Sequence, residues 1–206
     1  MNVIVCVKQI PDPALPGALD GATNTLKRDG KLILDDSDAY GVEMALQLVD
    51  AAGGGEVSII SMAPNGETAG MRTALAMGAA NFVVTSDKAE LKKLANTFDI
   101  IINTVSAEIE IHRYIGTLRQ WGSLVVVGAP GKPYSLDGSA LMGRQLSLSG
   151  SAIGSIKETQ EMLDFCGKHN IVSDIEIIPA SAINEAYERV LASDIRYRFV
   201  IDTATI

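Results

Sequence analysis

The 206 residues include only two cysteines, two histidines and one tryptophan, so there is little material for disulfides, for soft-ligand metal centres or for indole anchors. Cys6 and Cys166 stand far apart, each in an apolar run, and read as small buried hydrophobes in a reducing compartment. Cys166 and His169 lie three apart on an expected helix, but a catalytic zinc needs three protein ligands and no third stands near, so zinc is not expected. No apolar run approaches the roughly 20 residues of a membrane span. The opening Met1–Lys8 has no basic segment ahead of its short apolar stretch, and the expectation is a cytoplasmic protein. Positive charge is also scarce. A net charge of −8 argues against nucleic acid or an anionic membrane as partner, since both call for clustered Lys and Arg.

What is present is the balance of a globular core, 47% hydrophobic and 20% charged. Short runs rich in Val and Ile alternate with helix-period segments, the pattern of parallel strands covered on both faces. The expected strands are Asn2–Lys8, Glu56–Met62, Asn81–Ser86, Asp99–Thr104, Ser123–Val127 and Leu146–Gly150. A long stretch from Gln9 to Asp36, with a hairpin arm around Thr25–Leu34, interrupts the alternation, as functional loops do. Helices are expected from the cap cluster at Asp35 to Ala52, from Glu67 to Met77, from Asp87 to Asn96 and from Ile109 to Trp121. Ser155-Ile156-Lys157-Glu158 has capping-box form and opens a helix to His169. A tail follows: strand Asp174–Ile178, helix Ala182–Ala192, strand Tyr197–Ile201. Right-handed crossovers then give a Rossmann-like, doubly wound α/β sheet of order 3-2-1-4-5-6 with a small C-terminal β-α-β extension, in one continuous domain.

Such sheets bind ligands beyond the strand C-termini at the switch between strands one and four. The turn there, Val7–Pro13, contains no glycine, and neither G-x-G-x-x-G nor a P-loop occurs anywhere. Lys8 could neutralise a phosphate, although a solvated lysine explains it as well. Asp35, Asp36 and Asp38 could hold a ribose or a cation, although helix capping accounts for one or two of them. Nothing in the sequence suggests a nucleophile–histidine pair, and no catalytic residue is assigned.

Two sets of residues resemble known families. Val3-Ile4-Val5-Cys6-Val7-Lys8-Gln9-Ile10-Pro11-Asp12, Asp38–Leu46 and Arg72-Thr73-Ala74-Leu75-Ala76-Met77-Gly78-Ala79 resemble the β subunit of an electron transfer flavoprotein over residues 1–80. Phe98–Val105, Val125–Pro130, Gly150–Ser155, Glu158–Cys166 and Tyr197–Ile201 resemble the NADP-binding part of a zinc-type alcohol dehydrogenase of the cinnamyl-alcohol class. That second likeness takes in a Rossmann second half, 81–154, and a C-terminal extension, 155–206. The two meet at Met77-Gly78-Ala79, so the chain reads as a chimera in which equivalent halves of similar sheets are joined.

The flavoprotein resemblance implies AMP at Cys6, Asp35, Asp36, Ser37, Asp38 and Met62, with FAD not expected on this chain alone. Docking to a flavoprotein α-like subunit would need a recognition loop that this sequence lacks. The dehydrogenase resemblance implies NAD(P) flanked by Thr104, Val105, Val127, Gly128, Ala129, Ser151, Ala152 and Ile153, with Arg198 at the pyrophosphate. The family's zinc-bearing catalytic domain has no counterpart in the sequence, so turnover is not expected. Three functions stay open: a nucleotide-binding domain without turnover, an electron-transfer component, and an NADP-dependent oxidoreductase. The apolar positions Met162, Cys166, Ile175, Ile177, Ile183, Tyr187, Leu191 and Phe199 would normally pack on the missing domain. Their exposure, with the edge of the sixth strand, predicts a homodimer.

Overall fold

The computed structural model describes residues 1–12, 20–22, 27–28, 30–62, 68–85, 88–192, 194–195 and 198–206. In chain order its strands and helices are β1 (Asn2–Cys6), β2 (Gln9–Pro11), β3 (Leu32–Leu34), α1 (Asp36–Ala51), β4 (Glu56–Ser61), α2 (Ala69–Met77), β5 (Asn81–Val84), α3 (Lys88–Lys93) and β6 (Phe98–Asn103). They continue as α4 (Ile111–Ile115), β7 (Leu118–Val126), α5 (Gly138–Met142), β8 (Ser147–Gly150), α6 (Ile156–Lys168), β9 (Glu176–Pro179), α7 (Ile183–Leu191) and β10 (Phe199–Asp202). They fall into two compact units, one of residues 1–10 and 31–152 and one of residues 11–30 and 153–206.

The first unit is a six-stranded sheet of order β5-β4-β1-β6-β7-β8, every pairing parallel. Counted along the chain this is third-second-first-fourth-fifth-sixth, the Rossmann-like order the sequence implied. Strand alternation decides what each face meets. Val3, Val5 and Val7 point into one core with Val42, Ala45 and Val49 of α1 and Met71 and Ala74 of α2. Ile4 and Cys6 point into the other, with Leu91 of α3 and Ile111, Tyr114 and Ile115 of α4. Both faces of β1 are dry, which is why it reads as an unbroken apolar run rather than an alternating one. Of the hairpin arm expected around Thr25–Leu34, β3 falls within it but pairs with β2, which lies ahead of that stretch, and Thr25, Leu26 and Asp29 lie outside the described residues. The expected helix starts at Glu67 and Asp87 also lie outside them.

One helix is much shorter than its periodicity suggests. The expected span Ile109–Trp121 holds helix only over Ile111–Ile115, and the chain is already strand at Leu118. Arg144, distant in sequence, donates to the carbonyls of Ile115 (3.1 Å) and Leu118, and Thr117 Oγ1 donates to Tyr114 O at 2.8 Å. These bonds end the helix early by supplying donors to carbonyls that further turns would have used. Trp121 then takes a left-handed φ of 68° inside β7, a conformation that costs a residue with a side chain about 1–2 kcal/mol. A second difference is α5, which occupies a stretch that reads as loop; its N-cap Asp137 accepts from Ser139 N at 2.9 Å.

The second unit contains α6 and the parallel pair β9–β10 joined through α7, the expected β-α-β extension. The capping box forms as read: Glu158 N donates to Ser155 Oγ at 3.2 Å and Ser155 N to Glu158 Oε2 at 2.6 Å. Met162, Ile175, Ile177, Ile183, Tyr187 and Leu191 are exposed, and Cys166 and Phe199 are half-buried. Among the described residues, no helix is long and apolar enough to cross a membrane.

Candidate functional site

The parallel sheet directs the C-terminal ends of β1, β4, β6 and β7 to one edge of the first unit. Two glycines let the elements there close up. A Cβ on Gly41 of α1 would stand 2.9 Å from Thr104 Cγ2 and 3.2 Å from Val5 Cγ1. One on Gly128 would stand 2.4 Å from the Thr104 carbonyl oxygen. Gly41 thus brings α1 down onto β1 and β6, and Gly128 brings the chain after β7 against the chain after β6. Close helix–strand packing is one of three tasks that the G-x-G-x-x-G loop performs in dinucleotide folds. Here a glycine inside the helix performs it, and its presence on the apolar stripe of α1 was the signal in the sequence.

At the β6–β7 end the backbone is tightly tied. Val127 N and Gly128 N both donate to Asn103 O, at 2.9 and 3.0 Å, and Thr104 Oγ1 donates to Cys6 O at 2.6 Å. Asn103 is fully buried; its Nδ2 donates to Tyr134 Oη at 2.9 Å and its Oδ1 accepts from Val105 N at 3.2 Å. Burial pushes the Tyr134 hydroxyl pKa up, against a smaller lowering by the Asn103 bond. Ser151 N donates to Val126 O at 3.0 Å, which carries the chain after β8 to the same edge. The structure therefore groups Thr104, Val105, Val127, Gly128, Ala129, Ser151 and Ala152. A cavity of about 510 Å³ lies at Tyr134, the partner of Asn103, bordered by Glu108, His112, Lys132, Tyr134 and Ser135, and none of those seven residues lines it. Asn103 and Tyr134 were not singled out in the sequence, although an asparagine ending the run Ile100-Ile101-Ile102 is a polar group that a dry strand has to satisfy.

The β1–α1 end is different in kind. Asp35 caps α1 through Oδ1, which accepts from Ser37 N at 2.8 Å, and its carbonyl accepts from Asp38 N and Ala39 N. Asp38 is wholly buried, with Oδ2 accepting from Lys8 N at 2.6 Å and Oδ1 from Lys8 Nζ at 3.1 Å. Lys8 Nζ also lies 3.0 Å from Asp35 Oδ2. Burial alone would pull the Lys8 pKa down, but the bonds and charges of Asp35 and Asp38 outweigh it and raise it. Burial would raise Asp35, and the bonds from Ser37 and Lys8 overcome that and lower it. Lys8 is thus held in a carboxylate cage rather than free for a phosphate.

The remaining expected positions are divided between the two units. Cys6 is only 2% exposed, its thiol turned into the core and its pKa raised by burial and then by Asp38, with its carbonyl taken by Thr104. Asp36, Ser37 and Met62 are exposed at the same end of the sheet. Ile153 and Arg198 belong to the second unit, where both are exposed and the Arg198 carbonyl accepts from Glu176 N at 3.1 Å. Cys166 and His169 have contacts of their own: the thiol lies 3.6 Å from Met162 Sδ, and the His169 ring is 4.4 Å from that of Phe165. Among the described residues, no three His, Cys, Asp or Glu side chains are grouped to hold a metal ion.

Comparison with known proteins places this architecture. An NADP-dependent alcohol dehydrogenase C 1 of Mycolicibacterium smegmatis is 46% identical over 163 residues, covering 79% of this chain and 45% of the relative. A probable formaldehyde dehydrogenase, AdhA, of Bacillus subtilis is 48% identical over 165 residues, covering 79% of this chain and 45% of the relative. The solved cinnamyl alcohol dehydrogenase SbCAD4 of Sorghum bicolor superposes with a TM-score of 0.55 at 32% identity, over 98% of this chain and 48% of that one. The chain spans under half the length of these relatives. The family match, to zinc-binding dehydrogenases, runs over residues 43–168. Dehydrogenase likeness therefore begins inside α1, well before the expected seam at Met77-Gly78-Ala79, and none of these relatives speaks for a flavoprotein half. With more than half of its residues inside that match and its sheet in the matching order, the chain belongs to the zinc-binding dehydrogenase family.

Proposed function

We propose that this chain is the coenzyme-holding domain of an alcohol-dehydrogenase-type oxidoreductase, taking NAD(P) by its nicotinamide and adjoining ribose at the ends of β6, β7 and β8. One observation carries the reading: the 43–168 match encloses Thr104, Val105, Val127, Gly128, Ala129, Ser151 and Ala152, the same residues that the sheet gathers at one edge. The residues at that edge fit a nicotinamide ribose, with backbone fixed by Asn103 and Gly128. Those at β1–α1 do not fit a pyrophosphate, because carboxylates already hold the donors there. The chemistry that a bound nicotinamide supplies is hydride transfer; the described residues offer no metal-ligand trio to polarise an alcohol or aldehyde, and independent turnover is no part of the proposal.

A second reading, AMP at Cys6, Asp35–Asp38 and Met62 in the manner of a flavoprotein β subunit, draws on the fact that Cys6 and Asp35–Asp38 lie outside the family match, although Met62 lies inside it. A nuclear magnetic resonance titration with NADPH and with AMP separates the two. The coenzyme reading expects NADPH to shift the amides of Thr104, Val105, Val127–Ala129 and Ser151. Shifts from AMP confined to Asp35–Met62, with NADPH inert, would replace it with the second reading. Silence from both at millimolar concentration would refute each.

A further inference from the structure

We infer that Asp38 is a built-in anion occupying the place where a doubly wound fold receives a pyrophosphate, so that Asp35, Asp36 and Asp38 make this domain select against the diphosphate of a dinucleotide. The inference rests on the coenzyme reading above and deepens it. In such folds a phosphate at the first βα turn is held by free N–H groups of the helix N-terminus, by backbone N–H at the strand end and by a nearby cation. Devices of each kind are present here and are engaged by this chain's own groups. Of the first-turn N–H groups, that of Ser37 donates to Asp35 Oδ1 at 2.8 Å and that of Asp38 to Asp35 O at 2.9 Å. The strand-end N–H of Lys8 donates to Asp38 Oδ2 at 2.6 Å. The Lys8 ammonium is spanned by Asp35 and Asp38 at 3.0 and 3.1 Å.

Asp38 has no exposed surface. A phosphate would have to displace a buried carboxylate that is already hydrogen-bonded on both oxygens, then sit beside Asp35 and the exposed Asp36. One lysine cannot balance three carboxylates, so the end of the cleft is net negative before any ligand arrives. No glycine opens the turn from Lys8 to Asp12 for closer approach. The Ser37, Asp38 and Ala39 N–H groups and the Lys8 ammonium, which would favour an anion at this helix N-terminus, are satisfied internally, and the carboxylates around them repel one.

Calorimetric titration of the full chain with NADP and with nicotinamide riboside, which lacks the diphosphate and adenosine, tests this. The two ligands are expected to bind the wild-type protein within about threefold of each other, because the diphosphate gains nothing at α1. Asp36→Asn, at an exposed position, is expected to tighten NADP about fivefold, the order of one neutralised neighbouring charge, and to leave the riboside unchanged. Asp38→Asn is expected to do the same or more, and Asp36→Asn carries the test should that variant fail to fold. NADP binding the wild type tenfold or more above the riboside would overturn the inference while leaving the coenzyme reading intact. So would an Asp36→Asn variant with unchanged NADP affinity. If neither ligand binds any variant, the coenzyme reading falls and this inference with it; if the riboside binds the wild type and NADP binds only after an aspartate is neutralised, the exclusion of the diphosphate stands and the coenzyme reading is cut back to the nicotinamide riboside.

Discussion

The Lys8–Asp38 pair is where the structure makes its sharpest energetic commitment, because the two partners are unequally buried. Asp38 is fully enclosed, while the Lys8 side chain keeps 28% exposure and a second partner in Asp35. Asp38→Ala leaves the Lys8 backbone N–H without its acceptor, a loss of about 1–3 kcal/mol for an unsatisfied group. The ammonium retains Asp35, so little more is added, and the total comes to about 2–4 kcal/mol. Lys8→Met does the reverse. It strands a buried carboxylate with one backbone donor and no countercharge, which typically costs about 3–5 kcal/mol. Lys8→Met should therefore be the worse substitution, although the residue changed is the more exposed of the two. For a chain of this size each kcal/mol moves the melting midpoint by about 2–4 °C, so Asp38→Ala should lower it by roughly 5–15 °C. The double variant Lys8→Met/Asp38→Leu should recover most of the single Lys8→Met loss, since a well-packed apolar pair commonly matches a buried ion pair. Urea denaturation followed by circular dichroism gives all three values. A Lys8→Met cost below that of Asp38→Ala, or both below about 1 kcal/mol, would show that Asp38 is not a caged anion.

Three further outcomes follow from the same structure. Gly128→Ala forces a methyl against the Thr104 carbonyl, a backbone atom that cannot swing aside, so it should cost about 1–3 kcal/mol and disturb amide resonances at both Thr104 and Gly128. Unfolding free energy should be level between about pH 4 and 10 as far as this cluster is concerned: the lowered Asp35 adds stability above its ordinary 3.8 that fades as pH falls, and the raised Lys8 adds stability below its ordinary 10.5 that fades as pH rises. Lys8→Met should flatten the alkaline arm and shrink the acid one, as urea midpoints across pH would show. The exposed apolar positions of α6 and α7 and the open edge of β8 should drive concentration-dependent self-association in sedimentation, relieved by Met162→Glu or Leu191→Glu; a monodisperse wild-type monomer at high concentration would count against it.

What was legible in the sequence was what neighbouring residues decide among themselves. The strand order could be read because each βα unit announces itself by period and cap, and because right-handed crossovers leave few ways to order six parallel strands. The Ser155 capping box was legible for the same reason, since both of its bonds lie within four residues. Where the determinant was distant, the reading failed. The end of α4 is set by Arg144, whose bonds to Ile115 and Leu118 no local window reveals. Tyr134 satisfies Asn103 across 31 residues, and neither residue looks functional alone. Lys8 was weighed as a solvated lysine or a phosphate ligand, and the structure shows a third state, a cation enclosed by Asp35 and Asp38 from beyond a long loop.

The dehydrogenase match begins at Glu43, in the body of α1, and the aspartate cluster lies just ahead of it. Gly41, two residues before that boundary, still lets α1 pack on Val5 and Thr104, so the helix keeps its place against the sheet without the glycine-rich turn. Packing and phosphate binding, two tasks that the G-x-G-x-x-G turn combines, are thus separated here. The first depends on the absence of a side chain at one helical position. The second depends on N–H groups being free, and a single carboxylate at the right depth ends it. A substitution that admitted a diphosphate at this turn would therefore have to act on Asp35–Asp38, not on the sheet or on Gly41.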